Sequence, residues 1–215
     1  MSNQTHTSKL RQTSPLLEGV GGVLLLLLFL LPLPTHASTL TDFLSTLQAK
    51  TLQSDFTLSI TDGQSQPMTY AGTLTMQADH FILSMLSIEA AYDGQTLYMY
   101  SDDTEELTLS TPTEEELLQT NPFLYAQALV PVCKVEEKAL TGKGQTLITL
   151  TPHDTSAGIT RFTLKVNTTT LLPLSVEIRE TTGKTTSLRL TNPTYLTTTP
   201  SFTITKPDAF LNDLR

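Results

Sequence analysis

"YDGQTLYMYSDDTEELTLSTP", residues 92–112, sets the problem of the fold. After the Asp93-Gly94 turn, Leu97-Tyr98-Met99-Tyr100 is apolar or aromatic at every position. A strand in a water-facing antiparallel sheet alternates, with one face buried and the other wet. Here one face packs inward and another piece of structure must cover the other.

The flanking sequence supplies the rest of such a sheet. Phe56, Leu58 and Ile60 alternate with Thr57, Ser59 and Thr61 up to the turn at Asp62-Gly63. The same period of two predicts strands over residues 70–77, 81–88, 96–100, 106–110, 145–151, 160–166, 174–180, 185–191 and 201–205. Gly142-Lys143-Gly144 and Thr182-Gly183-Lys184 carry hairpin-type turn residues.

Helical spacing occurs in two places. Leu40, Phe43, Leu44 and Leu47 fall at i, i+3, i+4 and i+7 behind a Ser38 or Thr39 cap. In "TPTEEELLQTNPFLYAQALV", Thr113 and Glu116 are spaced as a capping box. Asn121 then caps a second helix with Pro122 at its first position and Phe123, Leu124, Ala126, Leu129 and Val130 on an apolar side. No repeat or long linker divides the chain, so the expectation is one mainly β domain with two or three helices.

The first 37 residues read differently. Lys9 and Arg11 precede "VGGVLLLLLFLL" (residues 20–31), then Pro32, Pro34 and the small-residue site Thr35-His36-Ala37. This pattern is that of a secretory signal peptide, with an apolar run shorter than the roughly 20 residues that span a bilayer. Cleavage after Ala37 leaves residues 38–215 as the mature domain, soluble and exported. No Cys stands just after the apolar run, so an N-terminal lipid anchor is not expected. The whole chain carries a formal net charge of −8, and residues 38–215 hold 11 basic and 20 acidic side chains. That balance argues against nucleic-acid binding. The single Cys, Cys133, sits among apolar residues and forms no internal disulfide, so the fold rests on its core.

Catalytic signals are sparse. His80 and His153, the two His residues after residue 37, each adjoin an Asp but belong to no recognisable motif and read as polar loop residues. The acidic groups Asp102-Asp103, Glu105-Glu106 and 114–116 lack the spacing of a calcium loop and read as a solvated face. No cofactor, metal or enzymatic activity is expected. What remains is an apolar surplus: Phe56, Leu58, Ile60, Leu74, Met76, Phe81, Leu83, Met85, Leu97 and Met99 would line one face of successive strands, with the helices laid across it. They enclose either a packed core or an apolar cavity, and their Met content suits an adaptable ligand surface.

Taken together, "SDFTLSITDG", the strand around Gly72, "HFILSM", "YDGQTLYMYSDDTEELT" and "NPFLYAQAL" resemble the LolA family of periplasmic carriers of outer-membrane lipoproteins. "TLITLTP", "RFTLKVN", "LPLSVEIRETTGKTTSLRLTN" and "FTITKP" continue the likeness over nearly the whole mature chain. The resemblance implies an incomplete antiparallel β-barrel of about eleven strands, lidded by two or three helices over an apolar cavity for acyl chains. It implies cavity roles for Phe43 and Leu47 on the first helix and for Phe56, Leu58, Leu74, Met76, Phe81, Leu83, Met85, Leu97 and Met99 on the strands. Phe123 and Leu124 would act from the lid. Leu97 and Met99 would face the cavity while Tyr98 and Tyr100 lie on the covered outer face. Acylated lipoproteins would be the cargo, an inner-membrane lipoprotein-releasing transporter the loading partner, and an outer-membrane protein an optional acceptor, with the carrier a monomer. One departure stands out: where the family carries an Arg-Pro pair that closes the lid, this chain reads Gln77-Ala78-Asp79-His80 before Phe81. That difference keeps two other readings in view, a lipid-binding or envelope-sensing module on the same fold and a structural β-protein with a solid core.

Overall fold

The computed structural model describes residues 38–215 except 64, 155 and 157. The expected signal peptide, residues 1–37, lies outside the described residues. The chain runs α1 (Thr39–Ala49), β1 (Leu52–Asp62), β2 (Met68–Gln77), β3 (His80–Met85), β4 (Ile88–Tyr92), β5 (Leu97–Ser101), β6 (Glu106–Ser110), α2 (Glu114–Thr120) and α3 (Pro122–Leu129). A 3₁₀ turn, Val130–Val132, leads into β7 (Cys133–Leu140), β8 (Gln145–Pro152), β9 (Ile159–Asn167), β10 (Pro173–Glu180), β11 (Lys184–Tyr195) and β12 (Phe210–Asp213).

The twelve strands of the described residues form one open sheet in the order β12-β6-β5-β4-β3-β2-β1-β11-β10-β9-β8-β7. Each neighbouring pair is antiparallel except β12, which runs parallel to β6. The sheet is not closed on itself, so the architecture is an incomplete barrel with β12 and β7 as its edges, one strand more than expected.

Three strands escape the period-two reading. β4 is short and directly follows the Leu86-Ser87 turn, which splits the expected 81–88 run in two. β7 has an exposed, charged middle, since at the sheet edge little of it is covered. β12 is four residues long and mostly exposed. Conversely, residues 201–205 make no strand. Phe202 and Ile204 are buried as the alternation requires, but their segment crosses the outside of the sheet as a strap rather than pairing with it.

The register puts like residues in rows. Leu52, Met76, Phe81, Tyr92 and Leu97 lie side by side across β1 to β5, and Ser54, Leu74, Leu83, Ala90 and Met99 form the next row. Gly72 stands opposite Phe56, where a Cβ would come within 2.7 Å of the Phe56 ring and would also meet the Ser84 carbonyl. Glycine at this position lets the ring lie flat on the sheet.

The outer face explains the opening stretch. Ala91, Leu107, Leu109 and Ile204 form a second apolar cluster with Ile82, Tyr98, Tyr100 and Ala209 packed against it. The strap between β11 and β12 is therefore the cover that Tyr98 and Tyr100 require. Lys206 fastens it, with Nζ 3.0 Å from the Glu89 carboxylate and 4.3 Å from the centre of the Tyr100 ring. The Asp93-Gly94 turn is tied to the same region: Asp93 accepts from the backbone N–H groups of Gln95 and Thr96 at 2.9 and 2.7 Å and from the Tyr98 hydroxyl at 3.0 Å. Gly94 adopts φ +95°, and a Cβ there would come within 2.9 Å of the His80 ring.

Candidate functional site

On the inner face the helices do not fill the space above the sheet. They leave a cavity of about 760 Å³ between α2, α3 and the strands. Its wall comprises Phe56, Leu58 and Ile60 of β1, Leu74 and Met76 of β2, and Phe81, Leu83 and Met85 of β3. The opposite side is built by Ile159, Val176, Ile178 and Leu188 from β9, β10 and β11. Leu58, Ile60, Leu83, Met85, Ile178 and Leu188 are only half-buried although they sit mid-sheet, because the surface they retain faces this space. Glu115, Gln119, Glu180 and Lys184 also line it and supply its charged and amide groups.

The lid is assembled from capping chemistry. Thr113 Oγ1 accepts from Glu116 N–H at 3.3 Å while the Glu116 carboxylate accepts from Thr113 N–H at 2.8 Å, so the expected capping box starts α2. Asn121 ends α2 and caps α3, its Oδ1 accepting from the N–H groups of Phe123 and Leu124 at 3.0 and 3.1 Å. Its Nδ2 donates to the Ala78 carbonyl in the β2–β3 turn at 3.4 Å, joining lid to sheet. Tyr125 contributes its ring to the cavity, and burial pushes its hydroxyl up from the ordinary tyrosine range.

α1 sits beside this lid. Phe43 is fully buried and meets Phe123 edge-on at 5.4 Å between ring centres, which seats α1 against α3. At its start, the Glu137 carboxylate of β7 accepts from Thr39 and Leu40 N–H at 2.9 and 3.0 Å. Burial alone would raise the Glu137 carboxyl, but these N–H bonds and those of the Thr39 and Ser38 side chains outweigh it and hold the group below its ordinary range.

Seven of the expected residues, Phe56, Leu58, Leu74, Met76, Phe81, Leu83 and Met85, converge on the cavity wall. Six do not. Phe43, Leu47 and Phe123 are buried in the core cluster that supports the lid, and Leu124 is half-buried on α3 outside the lining. Leu97 packs against the core cluster, and Met99 is 43% exposed. Both share the inner face, but β5 lies two strands beyond β3, and the lining ends at β3. Ile159, Val176, Ile178 and Leu188 were missed as cavity residues although their strands were legible; the alternation Val176-Glu177-Ile178 was the available signal.

In the Gln77-Ala78-Asp79-His80 segment, no cation stands at Gln77 or Ala78, and apart from the Ala78 carbonyl that holds Asn121 its bonds go to α1, Thr51 and the strap. Gln77 Oε1 accepts from the hydroxyls of Thr51 and Thr199, each at 3.0 Å, and Gln77 Nε2 donates to the Gln48 carbonyl at 3.4 Å. Ala78 N–H donates to the Leu47 carbonyl at 2.8 Å. Gln77 thus ties α1, the residue that leads into β1 and the strap together, and among the described residues its side-chain hydrogen bonds go to these and not to the lid. His80 pairs with Asp79 at 2.8 Å and packs against Phe202, and Cys133 is buried, which pushes its thiol up. Among the described residues no group of three or more His, Cys, Asp and Glu side chains is placed to hold a metal ion.

Comparison with curated protein sequences finds no match. Among solved structures, an uncharacterized conserved protein from Thermus thermophilus is similar, with a TM-score of 0.55 at 12% identity over 81% of this chain and 96% of that one. A LolA superfamily protein from Nitrosomonas europaea gives 0.39 at 11% identity over 78% and 99%, and the Pseudomonas aeruginosa MucA/MucB complex gives 0.45 at 17% over 76% and 59%. The family model for outer membrane lipoprotein carrier protein LolA matches residues 47–205, a span from the end of α1 through all the strands that wall the cavity to the strap. The chain belongs to the LolA family.

Proposed function

We propose that this protein is an exported periplasmic carrier that shields the acyl chains of lipoproteins and passes them from the inner toward the outer membrane. The observation that carries this reading is the apolar cavity of about 760 Å³ beneath a two-helix lid in a LolA-family chain. Moving an acyl chain into water is costly: at about 0.8 kcal/mol per CH2, a 16-carbon chain loses on the order of 12 kcal/mol. A cavity of leucine, isoleucine, methionine and phenylalanine replaces the bilayer, so the chain crosses an aqueous compartment without paying that difference. No covalent step is needed.

Hand-over requires that loaded and empty states be close in free energy. The lid suits this. Its direct hydrogen bond to the β2–β3 turn is the neutral contact from Asn121 to the Ala78 carbonyl, of the kind that contributes about 1 kcal/mol net. Apolar contact between lid and cargo replaces apolar contact between lid and sheet when the cavity fills.

The test mixes purified residues 38–215 with spheroplasts displaying a triacylated lipoprotein. A control carries the same passenger with its acylated Cys replaced by Ser and a separate membrane anchor. Release of the acylated cargo alone, as a soluble one-to-one complex, is expected. Release of neither cargo by a folded protein would sink the carrier reading and favour a lipid-binding sensor.

A further inference from the structure

The sheet edge at β12 is built unlike the opposite edge at β7. β7 presents Lys134, Glu136, Glu137 and Lys138, charges that blunt edge pairing. β12 presents Phe210 at 71% exposure and Leu211 at 56%, followed by Leu214 at 64%. Met99, also exposed, lies two strands away on the same face as Phe210, across Thr108 and Asn212.

Among the described residues, the backbone at this edge is unpaired in a defined way. Phe210 and Leu214 donate their N–H groups to the Glu105 and Leu109 carbonyls of the β6 side at 2.8 Å each. Alternate residues of a strand direct their main-chain groups to opposite sides, so the N–H and C=O of Leu211 and Asp213 point to the open edge. The surroundings are acidic. Asp102, Asp103 and Glu105 occupy the β5–β6 turn next to Phe210, and Asp208 precedes β12, all exposed. The basic groups nearby are already paired, Lys206 with Glu89 and Arg215 with Asp213.

We propose that the β12 edge is a docking site for an extended, basic segment of a partner protein, which adds to the sheet as a thirteenth strand beside β12. Strand addition uses the free main-chain groups of Leu211 and Asp213 for affinity. Apolar side chains of the partner cover Phe210 and Leu211, while its Lys or Arg residues meet the acidic turn. The same acids disfavour an anionic lipid surface as the occupant. The site is separate from the cavity, so it stands whether or not the cavity carries acyl chains.

The experiment uses isotope-labelled residues 38–215 and three synthetic probes: the peptide Lys-Val-Lys-Val-Lys-Val-Lys with blocked ends, its Glu-for-Lys counterpart, and vesicles of phosphatidylglycerol. The basic peptide is expected to bind and to slow amide exchange at Leu211 and Asp213 by about tenfold or more, with exchange in β7 unchanged. The Asp102→Lys, Asp208→Lys double variant should weaken binding by about tenfold, and raised salt should do the same to the unsubstituted protein. Leu211→Pro removes the outward N–H while leaving the two N–H bonds to β6, and should abolish binding in a protein with unchanged circular dichroism. Equal binding of the acidic peptide, protection outside β12, binding of vesicles but not peptide, or no peptide binding at all would overturn the proposal. So would concentration-dependent dimerisation through this edge, which would assign it to a second copy of the chain.

Discussion

Leu83 and Met99 share one face of the sheet, two strands apart in a single row, and differ in what stands opposite them. Leu83 looks into the cavity, and Met99 lies beyond the lining. A carboxylate in the cavity would have to be desolvated by any apolar ligand. Leu83→Asp should therefore weaken uptake of a fluorescent fatty acid by at least about tenfold, equivalent to about 1.4 kcal/mol. Met99→Asp should change it less than about twofold, a difference that fluorescence titration reads directly. Asp93 offers a second residue-scale test. Burial would raise its carboxyl, but the N–H groups of Thr96 and Gln95 and the Tyr98 hydroxyl hold it below the ordinary range. A depressed carboxyl stabilises the fold fully above the unfolded value, near pH 4, and the contribution disappears as pH falls through the lowered value. Urea unfolding of Asp93→Asn should show a loss of about 1 kcal/mol at pH 7 that shrinks toward zero in acid. A loss that is constant with pH would mean that the charge is not what the turn uses.

At the scale of elements, the two lid helices and the sheet meet at one residue, Asn121. Asn121 is buried, ends one helix, starts the next and reaches the β2–β3 turn. Asn121→Ala removes the cap and the lid-to-sheet bond together, and should lower the unfolding free energy by about 1–2 kcal/mol, measured by urea denaturation. It should also raise hydrogen exchange in α2 and α3 ahead of the strands. This junction was legible in the sequence, because Asn followed by Pro at the first helical position is a local signal. So were the strands that carry a full period of alternation, and with them seven cavity residues. What stayed illegible depends on neighbours. β7 was hidden because an edge strand need not alternate, and β12 because four residues hold too little pattern. The strap was misread because burial of Phe202 and Ile204 reports one covered face, and says nothing of whether the backbone N–H groups find a strand. Leu97 and Met99 were assigned to the cavity because alternation gives the face of a sheet but not where along it a lid ends.

For the whole molecule, the question is whether the space under the lid is a binding site or a packing gap in a structural protein. Thermodynamic linkage decides it without reference to cargo identity. A ligand that binds only the folded state raises stability by RT ln(1 + [L]/Kd), about 2.7 kcal/mol at 100-fold excess over Kd. For a domain of this size each kcal/mol shifts the midpoint by about 2–4 °C. Palmitate or lysophosphatidylcholine, kept below micelle formation, should therefore raise Tm by about 5–11 °C when saturating. Leu83→Asp should reduce that shift, while Leu211→Pro should leave it intact, since β12 is not part of the cavity lining. Calorimetry should add a negative heat-capacity change on binding, the mark of apolar surface leaving water. A chain whose Tm is unmoved by any of these amphiphiles would have a cavity that its lid never opens, and the carrier reading would fail with the sheet, lid and edge all still standing as described.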